Sequence, residues 1–161
     1  MLRAVSEPTD DPIASPPGVD LAALSARHVR FGWLLIFGYV MLGAVLESMH
    51  GFKVALYLDA SNEARRLVWT LAHTHGTLIG VLNLGFAVTL HRLALSETLL
   101  FAASRLFVLA GAVMPLGFLL GGVVIYGGDP GLPIVLAPLG GLFLVGAVGL
   151  AALGALRGRS G

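Results

Sequence analysis

The side chains best able to do chemistry in this chain lie between residues 47 and 83, in an otherwise strongly apolar sequence. Glu47-Ser-Met-His50 places a carboxylate and an imidazole three residues apart, and His73-Thr-His75-Gly76 adds two more imidazoles after a charged loop. Residues three apart on a helix share a face, so Glu47 and His50 can offer an oxygen and a nitrogen ligand together. One Glu-x-x-His is half of the di-iron carboxylate motif, and the second copy and the additional glutamates that motif needs are missing. With His73 as third donor, Glu47, His50 and His73 have the composition of a three-ligand site with an open position, suited to zinc, copper or iron. Alternatively His50 and His73, with His75 as a further candidate, supply axial nitrogens to haem b, and Gly43 and Gly76 leave room for the macrocycle. The sequence has no cysteine, which excludes an iron–sulfur cluster, a disulfide and a thiolate nucleophile. The plainer reading of the same residues is a polar network in which Glu47 bonds His73 or Arg65 and fixes helix packing.

The elements that must position these groups follow from composition. The chain is 57% hydrophobic and only 12% charged, against about 25% charged in soluble domains. That predicts an all-α integral membrane protein, a four-transmembrane-helix bundle. An ionisable group in such a span is costly and by default marks function. A net charge of +1 provides no basic field for nucleic acid. Nine Arg to one Lys, with abundant Ala, Gly and Leu, matches the residue usage of a GC-rich bacterium and so a cytoplasmic (inner) membrane.

Along the chain, residues 1–28 carry Pro8, Pro12, Pro16 and Pro17 among Asp, Ser and Glu and read as a disordered tail, whose last part could lie as a short helix on the membrane surface. His28 is placed there, among arginines at the surface. Residues 29–157 form the transmembrane domain, with spans expected at 31–49, 67–90, 106–126 and 132–156, each near the roughly 20 apolar residues that cross a bilayer. The third apolar stretch, Thr98 to Tyr126, would be about 43 Å long as a helix. Arg105 is therefore taken as the boundary of the third span. Pro115 is a candidate kink, and Gly127 to Gly131 a tight turn. Asp59 or Ser61 is available to cap the second span, and residues 158–161 are a C-terminal tail. Arg27, Arg30, Arg92, Arg105, Arg157 and Arg159 fall on one side of the spans, and Lys53, Arg65 and Arg66 on the other. The positive-inside rule then places both termini in the cytoplasm.

At about 100° per residue, His73, Gly76, Gly80 and Asn83 share one stripe of the second span, with His75 on the opposite side. Gly76-x-x-x-Gly80 and Gly117-x-x-x-Gly121 are spacings that let helices approach closely. On the first span, Glu47 and His50 share a stripe with Gly43, Tyr39, Ile36 and Gly32. Asn83, Arg65, Arg66, Tyr57 and Asp59 make up the remaining polar network, with Asn83 bonding between helices. The expected role is a subunit or scaffold of a membrane complex, non-catalytic, which joins other membrane subunits or further copies of itself through glycine-rich helices. The alternatives are a metal- or haem-b-binding redox protein using Glu47, His50 and His73, and a proton-conducting or transport-related subunit. The proton path is incomplete, because His91 is the lone ionisable residue at the inner half of the His73 stripe.

Overall fold

The computed structural model describes residues 20–59 and 63–158; expectations for residues 1–19, Ser61 and Arg159 fall outside them. Helix α1 spans Leu21–Gly51, a short α2 spans Ala55–Leu58, α3 spans Glu63–Thr89, α4 spans Glu97–Gly121 and α5 spans Leu136–Arg157. With their flanking 3-10 turns, α1, α3, α4 and α5 are each long and apolar enough to cross a bilayer.

Helix α1 starts at Leu21 and runs unbroken through Phe31, the expected start of the first span; Asp20 caps it, its carboxylate accepting from the Ala23 N–H at 2.9 Å. A side-chain cap of this kind satisfies one of the four open donors of a helix start. At 31 residues the helix is about 46 Å long, longer than the roughly 30 Å of hydrocarbon. Helix α4 is likewise capped by Ser96, whose hydroxyl accepts from the Leu99 N–H at 3.5 Å. Arg105 therefore lies inside a continuous helix that begins about two turns before it. The same helix ends at Gly121, so Tyr126 belongs to a two-stranded hairpin, Ile125–Tyr126 (β1) against Asp129–Pro130 (β2). Gly127 and Gly128 turn it with φ of 58° and 93°, the positive values a two-residue hairpin turn demands.

The four long helices form an open row. α1 lies on α3, α3 on α4 and α4 on α5, while α1 meets α4 only lightly. The inner pair, α3 and α4, have 39% of their most apolar window buried, against 17% for α1 and α5, so the outer helices keep a broad apolar face uncovered. The α1–α3 seam is built on glycine. A Cβ on Gly80 would stand 2.9 Å from the Gly32 carbonyl, and one on Gly32 would stand 2.8 Å from the Gly80 carbonyl. The expected Gly76-x-x-x-Gly80 face is therefore the one that meets α1. Gly117 and Gly121 receive Ala137, Leu136 and Ile134, which seats the start of α5 on the end of α4. Alternating helix direction puts Leu21 and Arg157 at one end, where Leu24, Phe86, Leu90, Leu100, Ala103, Phe107 and Ala147 make the buried core.

Candidate functional site

Glu47 and His50 are both exposed, and His73 is half-buried one to two turns deeper. The glycine register explains the separation. Gly76 accepts the Tyr39 ring and Gly43 accepts the His73 ring, each where a Cβ would collide. His73 Nδ1–H then donates to the Tyr39 carbonyl at 2.6 Å. With His73 docked at Gly43, Glu47 stands about 6 Å and His50 about 10 Å further along α1 by helical rise. Among the described residues no group of three His, Cys, Asp or Glu is placed to hold a metal ion, so the expected Glu47, His50 and His73 ligand set does not assemble. The recesses at Gly43 and Gly76 considered for haem b are filled by His73 and Tyr39 themselves.

His75 does face away from His73. Its Nδ1–H donates to the Leu71 carbonyl at 2.9 Å, and its ring lies 5.1 Å from that of Phe118 on α4. The remaining polar residues of this end form a latch. Arg65 donates through Nε to the Gly122 carbonyl at 3.0 Å and through a terminal nitrogen to the Leu56 carbonyl at 3.1 Å. Its guanidinium lies 5.8 Å over the Trp69 ring. Tyr57 stacks on Trp69 at 6.5 Å, and Trp69 Nε1–H donates to the Leu119 carbonyl at 3.0 Å. Arg66 makes an exposed ion pair with Glu63 at 3.8 Å, and Asp59 ends α2 with its backbone N–H on the Ala55 carbonyl. Arg65, Tyr57 and Trp69 thus hold α2, α3 and the end of α4 together.

The most buried polar cluster lies at the opposite end, around His28, which is fully buried rather than at the surface where its arginine neighbours suggest. His28, Asn83 and Ser104 are each 0% exposed and belong to α1, α3 and α4. His28 Nδ1 lies 2.7 Å from Asn83 Oδ1, and Nε2 lies 2.8 Å from Ser104 Oγ. Asn83 Nδ2 donates to the Ile79 carbonyl at 2.9 Å, which fixes the amide orientation, since a carbonyl can only accept. Oδ1 therefore faces His28 as an acceptor, and His28 Nδ1 carries the proton. Arg27 donates to Ser104 Oγ, leaving the serine proton to point at Nε2. The chain of donation runs Arg27, Ser104, His28, Asn83, Ile79, each member satisfied by a neutral imidazole in the Nδ1–H form. The ring is held edge-on between Phe86 at 4.8 Å and Phe107 at 6.5 Å.

Ser104, His28 and Asn83 stand in the order of nucleophile, base and orienting group. Full burial of Ser104, with Arg27 already on its oxygen, leaves no space there for a substrate carbonyl. What the arrangement does is join three helices and pin a guanidinium. The signal for His28 was present: the α1 stripe Gly43, Tyr39, Ile36, Gly32 reaches His28 one turn earlier, once Asp20 is recognised as the cap.

His28 of α1 also brings an ionisable group to the level of Asn83 on the α3 stripe. Thr77 Oγ1, buried without a hydrogen-bond partner, lies on the same stripe between His73 and Asn83. The Gly32–Gly80 backbone contact falls between Thr77 and Asn83 and divides the polar stations into two groups. No protein-family model, no curated protein and no solved structure matches this chain.

Proposed function

We propose that this chain is a small multi-pass protein of a bacterial inner membrane, with both ends on the cytoplasmic side, and that it serves as a subunit or scaffold of a larger membrane assembly. The observation that carries the reading is the uncovered face of α5. Pro138, Leu142, Val145, Gly149, Ala152 and Leu156 are all exposed and recur at alternating spacings of four and three, the period of a helix–helix seam. Gly141 and Gly149 have nothing within 4 Å of a built Cβ. Lipid gains nothing from glycine, whereas a neighbouring helix does, because its backbone can come closer. Two further features support the reading. The fully buried polar groups His28, Asn83 and Ser104 bond one helix to the next, and Gly38 on the outer side of α1 is similarly open.

The test is the mass of the purified protein in mild detergent and in bilayer discs, by light scattering and native mass spectrometry, for the native chain and for Gly149→Leu. A self-associating scaffold runs as a defined oligomer that Gly149→Leu reduces toward the monomer without loss of helical content. A chain monomeric at every concentration in bilayer discs, with Gly149→Leu indistinguishable, would remove self-association and leave a seam for a different subunit, which cross-linking from Val145→Cys in the native membrane would have to capture as one defined product.

A further inference from the structure

Between α1 and α4, the two helices that meet only lightly, a cleft of about 340 Å³ is lined by Arg27, Phe31, Arg105, Val108 and Leu109. α1 and α4 run in the same direction, so the two arginines lie at one end of it. Phe31 follows Arg27 by four residues, and Val108 and Leu109 follow Arg105 by three and four. The apolar lining therefore sits about one helical turn, roughly 5 Å, deeper along both helices than the guanidiniums. The floor is closed where Phe31 and Leu35 pack onto Gly111. Cationic at the rim and apolar below, the cleft has the polarity profile of the headgroup boundary of a bilayer.

The geometry points to a binding site for one anionic phospholipid, its phosphate held by Arg27 and Arg105 and its acyl chain laid along Phe31, Val108 and Leu109. Guanidinium matches phosphate in both charge and planar geometry. The site is partly built in advance, because Arg27 donates to Ser104 Oγ, and Ser104 is held in turn by His28. The buried cluster thus positions one of the two phosphate donors, which gives the Arg27–Ser104–His28–Asn83 chain a role besides packing. Arg30, Arg92 and Arg157 lie at the same end of the row, so this end suits the anionic leaflet. The inference rests on the membrane reading above but not on the scaffold role.

The experiment uses the full chain exchanged into bilayer discs of phosphatidylcholine containing a minor fraction of phosphatidylglycerol, with lipid retained on the protein counted by native mass spectrometry. The native chain is expected to retain one phosphatidylglycerol in preference to phosphatidylcholine. Arg105→Gln, at an exposed position that leaves the fold intact, should weaken that preference about fivefold, the effect of one arginine near an anionic surface, and Arg105→Lys should weaken it less. Leu109→Trp should fill the cleft and abolish retention, whereas Arg30→Gln, at the same end but outside the cleft, should change it by less than about twofold. Equal losses in Arg30→Gln and Arg105→Gln would mean diffuse attraction and overturn the site, as would unchanged retention in Leu109→Trp. Displacement by millimolar glycerol phosphate would assign the arginines to a soluble anion instead. A chain that fails to enter the discs overturns the membrane reading together with this site; one that enters without lipid preference overturns the site alone.

Discussion

Replacing His28 by leucine removes two buried hydrogen bonds at one stroke, to Asn83 at 2.7 Å and to Ser104 at 2.8 Å. The shape of the side chain between Phe86 and Phe107 is roughly kept. Asn83 keeps its bond to the Ile79 carbonyl and Ser104 keeps Arg27, so each is left with one unmet group rather than wholly orphaned. In bilayers an interhelical hydrogen bond is worth about 0.6 kcal/mol on average and at most about 1.7. Two of them predict a loss of about 1–3 kcal/mol, toward the upper end because an unmet buried group retains its desolvation cost. The measurement is reversible unfolding in bicelles or graded detergent, followed by far-UV circular dichroism. The sharper test is the cycle with Asn83→Leu. Once His28 is gone, the Asn83 amide oxygen has nothing to lose, and removing it eliminates an unmet group. His28→Leu/Asn83→Leu should therefore be less destabilised than the sum of the single changes by about 1 kcal/mol, as expected for residues in one network. Strict additivity, or a His28→Leu protein as stable as the native one, would refute the reading of this cluster as a closed hydrogen-bonded lock.

Two further outcomes follow from the α1–α3 seam. Gly80→Ala would put a methyl group 2.7 Å from Ile36 Cγ1 and 2.9 Å from the Gly32 carbonyl. It should lower stability by about 1–3 kcal/mol, the usual cost of overpacking; in the same unfolding assay Gly85→Ala, where a built Cβ meets nothing within 4 Å, should be close to neutral. Glu47→Gln and His50→Ala alter exposed side chains and should each stay within about 0.5 kcal/mol of the native protein. A larger loss in either would show a partner for the carboxylate or imidazole that the packing of His73 onto Gly43 does not provide.

Much of the architecture is local information, and it reads directly from the residues. Long apolar runs specify helices that can cross a bilayer, Gly127-Gly-Asp-Pro specifies a turn, and glycines four apart on α3 specify a face for close approach. Each depends on chemistry within a few residues of itself. Cap chemistry is equally local, and Asp20 and Ser96 start α1 and α4 before the apolar runs begin, which joins the segment holding His28 to the first span as one helix.

The partner of each polar group is a different kind of quantity. Glu47, His50 and His73 have suitable types and share suitable faces, yet their meeting depends on how far α3 slides along α1. That register is set where Tyr39 enters the recess at Gly76 and Gly32 meets Gly80, contacts between residues far apart in sequence whose depth no periodicity encodes. A shift of one turn, about 5.4 Å, is the difference between a shared site at Glu47 and the observed seat of His73 on Gly43. The union of His28, Asn83 and Ser104, and the cleft that Arg27 and Arg105 border, are decided in the same way, because three helices must be docked before a buried donor has an acceptor to face.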